Sequence, residues 1–201
     1  MGADGDRTRE RILEKAIETF ADAGFAGASV RDIARKARIR VSSLYHYFPS
    51  KDALYLAVEE RIAQQVREIT LASVTRGGDL RAMARDSVGR LFDFYLARPA
   101  YVRLGYRFHL DAGTRPGGSE RIFERWVGLM EALMKPAETQ GILKPIEPPL
   151  LMASVEGLLA SHLTNDTLYR TFYGTGIDDP ATAARVREHV IQMVLRAIGL
   201  E

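Results

Sequence analysis

The chain has 201 residues, of which 46% are hydrophobic, 27% charged and 8% aromatic, proportions typical of a globular protein with a packed core. Disorder over most of its length is therefore excluded. Cysteine is absent, which excludes disulfides, thiolate zinc sites and cysteine nucleophiles. The charged N-terminus lacks the apolar segment of a secretory signal, and the most apolar stretch, residues 148–163, is too short to span a membrane. We expect a soluble cytoplasmic protein with no membrane partner.

The charge of the chain is concentrated in one short segment. The net charge is only +2, but residues 31–51 hold six basic residues and one acidic residue, a local charge of +5. Residues 1–30 carry −2 and residues 52–201 carry −1. A concentrated basic segment is typical of a phosphate-binding surface, and a solvated helix face is the alternative.

Apolar residues recur every three or four positions along most of the chain, whereas alternating strand patterns are sparse. This periodicity predicts a first helix over residues 8–23, with Gly24 as its stop. Ser50 is suited to cap a fourth helix that extends to about Leu71. Further helices are predicted over residues 80–97, 101–110, 119–139, 149–169 and 180–200, with loops between them that include residues 113–118. The sequence predicts an all-α protein of about nine helices.

Two short helices are predicted between the first and fourth helices. Ser29 is the expected N-cap of the second helix, and the Asp32 carboxylate is placed to reach back to the cap amide. Residues 38–41 form a turn, and the third helix covers residues 42–48 and ends at Pro49. Two short, apolar-anchored helices joined by a tight turn match the helix-turn-helix, whose second helix enters the major groove of DNA.

The same segment resembles the TetR-type transcriptional repressors. The matching residues are Phe20-Ala21, Gly24-Phe25, the run SVRDIA at residues 29–34 and the run LYHYFPSKDAL at residues 44–54. The resemblance covers about the first fifty-five residues. It implies a DNA-binding domain over residues 1–54, with the fourth helix as connector, and a ligand-sensing and dimerisation domain over residues 55–201.

The resemblance and the chemistry of the side chains predict which residues contact DNA. Hydroxyl, imidazole and cationic groups suit phosphates and base edges, and small serines let the third helix approach the bases closely. Arg40 stands where the family often has serine, and we expect it to bind a phosphate or a guanine; an exposed solubilising arginine is the alternative. The predicted DNA-binding residues are Ser29, Arg31, Arg40, Ser42, Ser43, Tyr45, His46, Tyr47 and Lys51.

The C-terminal part contains a predicted homodimer interface. Residues 149–169 are apolar nearly all round, so this helix requires partners on more than one side. Packing inside one subunit explains the same pattern, but a single short recognition helix reads too few bases to be specific, which favours a two-fold dimer. The predicted interface residues are Ala153, Gly157, Ala160, Thr164, Val186, Val190 and Met193.

A ligand pocket is predicted from the aromatic residues and methionines of the central helices. Such side chains suit a mostly apolar cavity with a few polar groups, although each of them is also an ordinary core residue. The expected effector is a small, largely apolar or aromatic molecule. The predicted pocket residues are Phe92, Tyr95, Phe108, His109, Trp126, Met130 and His162.

These features together predict a ligand-responsive repressor that a small molecule releases from a palindromic operator. An activator, or the same fold acting through a protein partner or without any ligand, shares the sequence signals. A small helical enzyme is a remote alternative, because no metal-binding histidine spacing, phosphate-binding loop or catalytic constellation is found. We therefore predict no catalytic residue, metal or cofactor.

Overall fold

The computed structural model describes residues 3–110 and 120–200, apart from the side chains of Ala3 and His109. The predicted loop at residues 113–118 lies outside the described residues. Within these ranges the fold is all-α, with ten helices and no strand. The helices are α1 Ala3–Gly27, α2 Val30–Lys36, α3 Val41–Tyr47, α4 Lys51–Thr75, α5 Leu80–Leu96, α6 Pro99–Leu110, α7 Glu120–Thr139, α8 Pro148–Thr164, α9 Asp166–Tyr173 and α10 Pro180–Ile198. None of the described helices has the length and apolar character needed to cross a membrane.

The predicted stop at Gly24 is a kink within α1. Gly24 has φ 69° and ψ 176°, a conformation that only glycine adopts readily, and the chain then makes one more helical turn to Gly27. The kink places the Phe25 ring edge-on to Tyr55, with ring centroids 5.1 Å apart. Phe20 packs against Tyr55 in the same way at 4.9 Å. The end of α1 is therefore anchored to α4 by aromatic contacts.

The predicted helix over residues 149–169 is interrupted, which is why ten helices are found instead of nine. Asn165 has φ −93° and ψ 47°, outside the helical range, and separates α8 from α9. The Asp166 side chain accepts a hydrogen bond from the Ile177 amide at 2.9 Å and also pairs with Arg170. Asp166 is therefore bound to the loop that follows α9, and α9 starts at this residue.

The first of two compact units comprises the described residues up to Gln64 and those from Ala100 to Ile122. Its core contains the fully buried side chains of Phe20, Ile33 and Leu44. Helix α6 belongs to this unit, and its Phe108 ring packs edge-on to Tyr55 with centroids 5.6 Å apart. Burial of these large apolar side chains supplies the main stabilisation of the helix-turn-helix region.

The second unit comprises residues 65–99 and the described residues from Phe123 onward. Helices α5 and α10 pack side by side, and their buried residues form its core together with parts of α7, α8 and α9. Phe92 and Ile191 are fully buried there. Arg187 of α10 also binds Asp93 of α5 through two hydrogen bonds, of 2.8 and 3.1 Å. A domain boundary at residue 54 stays a prediction, whereas the compact units divide α4 at residue 64.

Ser50 caps α4 as the sequence predicts, since its hydroxyl oxygen accepts a hydrogen bond from the Ala53 amide at 3.0 Å. We expect Ser50→Ala to lower the free energy of unfolding by about 1 kcal/mol, because an amide of the first helical turn loses its partner. Urea denaturation followed by circular dichroism measures this loss. Ser50→Asp retains a capping oxygen and should unfold at nearly the wild-type urea midpoint. An Ala variant as stable as the wild type would contradict the cap.

Candidate nucleic-acid interface

Neither α2 nor α3 begins with a side-chain cap, although the sequence predicts one for α2. Ser29 has the extended backbone of an N-cap, but its hydroxyl makes no capping hydrogen bond. The prediction that Asp32 reaches back to the cap amide is wrong. Its Oδ1 atom instead accepts a hydrogen bond from Nη2 of Arg35 at 2.8 Å, because a charged donor three residues away competes with the backbone amide. Arg40 occupies the N-cap position of α3, also without a side-chain cap.

The turn between the two helices is closed by backbone hydrogen bonds around Arg38. The Arg38 amide donates to the Arg35 carbonyl at 3.1 Å, and the Ile39 amide donates to the Ala34 carbonyl at 3.0 Å. This pair of bonds is the Schellman motif, in which the residue after the helix takes a left-handed conformation that is usually filled by glycine. Here that residue is Arg38, with φ 54°.

Arg11 fixes the same turn from α1. Its Nε atom donates a hydrogen bond to the carbonyl oxygen of Ala37, the last residue before the turn, at 2.9 Å. Arg11 cannot be selected from the sequence, because an arginine on the polar side of an amphipathic helix normally faces solvent. The partner lies 26 positions away, so only the folded chain identifies Arg11 as a residue that positions the turn.

Helix α3 is anchored on one side and exposed on the other. Leu44 is fully buried, and Phe48, directly after the helix, is also buried. Ser42, Tyr45 and His46 are exposed and, at relative positions i, i+3 and i+4, they share one face of the helix. The other predicted contacts on α3, Ser43 and Tyr47, are partly buried. The helix therefore presents a narrow polar face to solvent.

The predicted basic residues differ in how free their charges are. Arg31 and Arg40 are exposed, and neither has an ion pair or hydrogen bond to the described part of the chain. Lys51 is held by α1, since its Nζ atom donates to the Ala26 carbonyl at 3.3 Å and lies 4.6 Å from the centroid of the Phe25 ring. Partial burial lowers the pKa of Lys51, and the neighbouring Asp52 opposes this shift. Among the predicted basic contacts, the free charges therefore lie at the beginnings of α2 and α3.

The predicted ligand-binding residues are divided between the two units. Phe108 lies in the first unit, and the side chain of His109 lies outside the described residues. The remaining members, all in the second unit, are Phe92, Tyr95, Trp126, Met130 and His162. Phe92 is fully buried in the core, and both Tyr95 and Met130 pack against that core. Trp126 is partly buried.

Tyr95 is the most perturbed of these polar groups. Burial raises its pKa well above the usual range of a phenol, and the charge of Glu156 on α8 raises it further. The phenol consequently stays neutral at every physiological pH. It provides a hydroxyl group in largely apolar surroundings, where a hydrogen bond to a bound molecule is stronger than in water.

His162 forms a small cluster with residues of α9 and α10. Its Nδ1 atom is 2.5 Å from the Tyr169 hydroxyl oxygen, and the two rings are stacked with centroids 6.4 Å apart. The His189 ring approaches edge-on at 5.3 Å. Burial lowers the pKa of His162, and the proximity of His189 lowers it further. The Nδ1 atom of His162, a predicted ligand-binding residue, therefore already has a hydrogen-bond partner within the protein.

The lowered pKa of His162 has a predicted effect on stability. The folded state favours the neutral ring, so below about pH 6.5, the ordinary pKa of histidine, the unfolded chain takes up the proton more readily. We expect the free energy of unfolding to fall between about pH 7 and about pH 5.5, and to fall less in His162→Gln. Thermal denaturation at both pH values tests this expectation. Equal losses in the two proteins would contradict it.

The second unit also contains an open groove of about 810 Å³ between α7 and the start of α8. Its wall is formed by Glu131, Met134, Lys135, Glu138, Pro145, Ile146, Glu147, Pro148 and Leu150. None of these is a predicted ligand-binding residue. Within the described ranges, no group of three or more histidine and acidic residues is arranged to hold a metal ion.

The predicted dimer-interface residues are found both inside and on the surface of the second unit. Val186 and Val190 are buried in its core, so packing within one subunit accounts for the apolar face of α10 that contains them. Ala160 is also buried. Ala153, Gly157 and Thr164 on α8 and Met193 on α10 are exposed. The exposed members leave surface for a partner on both helices.

The anchored helix α3, its exposed polar face and the unpaired arginines beside it define a helix-turn-helix DNA-binding regulator. Two family profiles match the chain. The profile described as "Bacterial regulatory proteins, tetR family" covers residues 12–58, and that described as "Tetracyclin repressor-like, C-terminal domain" covers residues 81–194. The chain belongs to the TetR family of bacterial transcriptional regulators.

Individual relatives are distant but similar over most of their length. The HTH-type transcriptional repressor NicS of Pseudomonas putida is 25% identical over 142 residues, which cover 69% of this chain and 67% of that protein. The HTH-type transcriptional regulator EthR of Mycobacterium tuberculosis is 25% identical over 197 residues, or 96% of this chain and 88% of that protein. A crystal structure of a TetR family transcription regulator from Marinobacter aquaeolei superposes with a TM-score of 0.78 at 28% identity, covering 98% of each chain.

Proposed function

We propose that this regulator is a homodimeric repressor that binds a palindromic operator through α3. A small, largely apolar or aromatic molecule bound to the second unit releases it. One observation supports operator reading above all others: Ser42, Tyr45 and His46 share an exposed face on a helix that Leu44 fixes in the core. A rigid helix with a polar, small-to-medium face can enter the major groove and place donors and acceptors against base edges.

The proposed contacts divide by chemistry. His46 offers hydrogen bonds to base edges, Tyr45 offers its hydroxyl to a phosphate or a base edge, and Ser42 lets the helix approach closely. Arg31 and Arg40, exposed and without ion pairs to the described residues, suit phosphates on either side of the groove. Phosphate contacts hold the helix in register, while base contacts determine which sequence is bound.

Selection of fragments from the source genome tests operator binding. The purified protein is incubated with fragmented genomic DNA at two salt concentrations, and the retained fragments are sequenced. We expect enrichment of one two-fold symmetric sequence, with weaker retention at the higher salt concentration, because bound arginines release counterions from phosphates. Retention of sequence-independent DNA alone would refute operator recognition.

Dimerisation is proposed to use the exposed faces of α8 and α10. Gly157 on α8 has open space around the position of a side chain, so a larger residue there would not disturb the folded subunit. We expect Gly157→Glu to dissociate the dimer by placing a charge in the interface. Gly128 on α7 also has open space, and Gly128→Glu is a matched control that should remain dimeric. Sedimentation equilibrium distinguishes the two; a monomeric wild type or a dimeric Gly157→Glu protein would refute this interface.

Effector binding is proposed near Tyr95, a partly buried residue whose neutral phenol packs against the apolar core that Met130 also contacts. To lower the affinity for the operator 5- to 150-fold, the effector must bind the released state about 1–3 kcal/mol more tightly than the DNA-bound state. A library of small aromatic compounds screened by thermal shift identifies the effector class. Tyr95→Phe should bind a compound with a hydrogen-bonding group more weakly than the wild type does, and should bind a purely apolar compound equally well. Wild-type affinity of the variant for both compounds would place the site elsewhere.

A further inference from the structure

We propose that Arg38 is a further contact to the DNA backbone, and that arginine occupies this left-handed position in place of glycine because its side chain binds a phosphate. This inference rests on the proposed operator binding and adds a residue to it. The sequence predictions place Arg38 in the turn without assigning it a role. Three independent features of the residue support the assignment: its backbone, its free charge and its position.

The backbone of Arg38 is costly for an arginine. Its φ of 54° lies in the left-handed region, where the Cβ atom of an L-residue crowds the carbonyl oxygen and where glycine has no such conflict. The conformation is imposed from both sides, because the Ile39 amide binds the Ala34 carbonyl at 3.0 Å and Arg11 binds the Ala37 carbonyl at 2.9 Å. Glycine would fit this turn without strain. Residues kept in such conformations are enriched at functional sites.

The side chain of Arg38 is available to a ligand. It is exposed and makes no ion pair or hydrogen bond with any residue in the described ranges. Its basic neighbours on α2 are already engaged: Arg35 binds Asp32 at 2.8 Å, and Lys36 donates to the Thr19 hydroxyl at 3.1 Å. Of these three basic side chains, only that of Arg38 has all its hydrogen-bond donors free to bind a phosphate.

Arg38 lies close to the start of α3, where a free positive charge can reach a DNA phosphate. It lies two residues before Arg40, the N-cap of α3, so two unpaired guanidinium groups precede the helix proposed to enter the groove. Arginine binds phosphate oxygens through two parallel hydrogen bonds, and such contacts fix the register of a recognition helix on the duplex. A purely solubilising arginine would gain nothing from a strained position.

Four variants test the proposal. Arg38→Gly removes the charge and the strain, Arg38→Gln removes only the charge, and Arg38→Lys keeps the charge. Arg35→Gln is the matched control, because it removes an exposed arginine of α2 that already has an acidic partner. For each protein, fluorescence anisotropy gives the affinity for a selected operator and for a random duplex over a range of salt concentrations. Thermal denaturation gives the stability.

We expect Arg38→Gly to unfold about 2–4 °C above the wild type, through relief of strain in a chain of this size. Its affinity for both duplexes should fall about eightfold per lost contact at 0.1 M salt, and the salt slope should decrease by about 0.9 per subunit. Arg38→Gln should lose the same affinity without the gain in stability. Arg38→Lys should keep most of the salt slope. Arg35→Gln should change the slope less than Arg38→Gly or Arg38→Gln does.

A salt slope that stays at the wild-type value in Arg38→Gly and Arg38→Gln would overturn the role of Arg38 and leave operator binding intact. A decrease no larger than that of Arg35→Gln would also overturn it, since it would reflect net charge alone. Failure of the wild type to prefer the operator over the random duplex would instead refute the proposed function.

Discussion

Leu44→Ala is expected to lower the free energy of unfolding of the first unit by about 2–5 kcal/mol, the usual cost of removing a fully buried leucine side chain. Leu44 is the one residue of the seven-residue helix α3 that is completely buried. So short a helix is unstable by itself in water and depends on this anchor. We expect the variant to lose DNA binding together with structure.

Urea denaturation followed by circular dichroism measures this loss of stability. Leu44→Met conserves most of the side-chain volume and should cost less than about 1.5 kcal/mol. An Ala variant with the wild-type urea midpoint would show that α3 is held by other contacts, and the exposed face assigned to it would then lack a rigid support.

Tyr45→Ala is expected to have the opposite profile, although the two residues are adjacent. Tyr45 is 46% exposed, so its removal should change the free energy of unfolding by less than about 0.5 kcal/mol. Affinity for the operator should fall by about 1.5–3 kcal/mol for each half-site if the hydroxyl binds a phosphate, as for a hydrogen bond to a charged group. Anisotropy titration with the selected operator measures the loss.

Tyr45→Phe separates the hydroxyl from the ring. If the hydroxyl makes the contact, the Phe variant should lose nearly as much affinity as the Ala variant; if the ring packs on the sugar or a thymine methyl, it should bind almost like the wild type. Unchanged affinity in Tyr45→Ala would contradict the assignment of Tyr45 to the interface. A large loss of stability in Tyr45→Ala would identify it as a packing residue.

Local features of the fold are predictable from the sequence because they depend on neighbouring residues. The cap at Ser50 is confirmed, and Gly24 interrupts α1 with a kink, although the helix predicted to stop there continues to Gly27. A hydroxyl before a helix and a glycine with φ above zero both act within a few positions. The division between α8 and α9 was not predicted. It depends on the hydrogen bond from the Ile177 amide to Asp166, a contact formed only when the following loop folds back.

The candidate site shows the same limit. The exposed face of α3 follows from helical periodicity around Leu44, but the support of the turn by Arg11 requires a contact across 26 positions. The predicted partner of Asp32 is wrong because two local donors, an amide and the Arg35 side chain, compete for one carboxylate. Periodicity likewise identified Val186 as buried without indicating whether its own subunit or a partner covers it.

The most direct test of operator reading by α3 is a second selection with an altered exposed face. His46→Gln replaces a surface residue of α3 by a side chain that pairs with adenine, and leaves both Leu44 and the small Ser42 in place. We predict that genomic selection with this variant enriches a different two-fold symmetric sequence, changed at equivalent positions of both half-sites. Enrichment of the wild-type sequence with unchanged affinity would contradict recognition by α3.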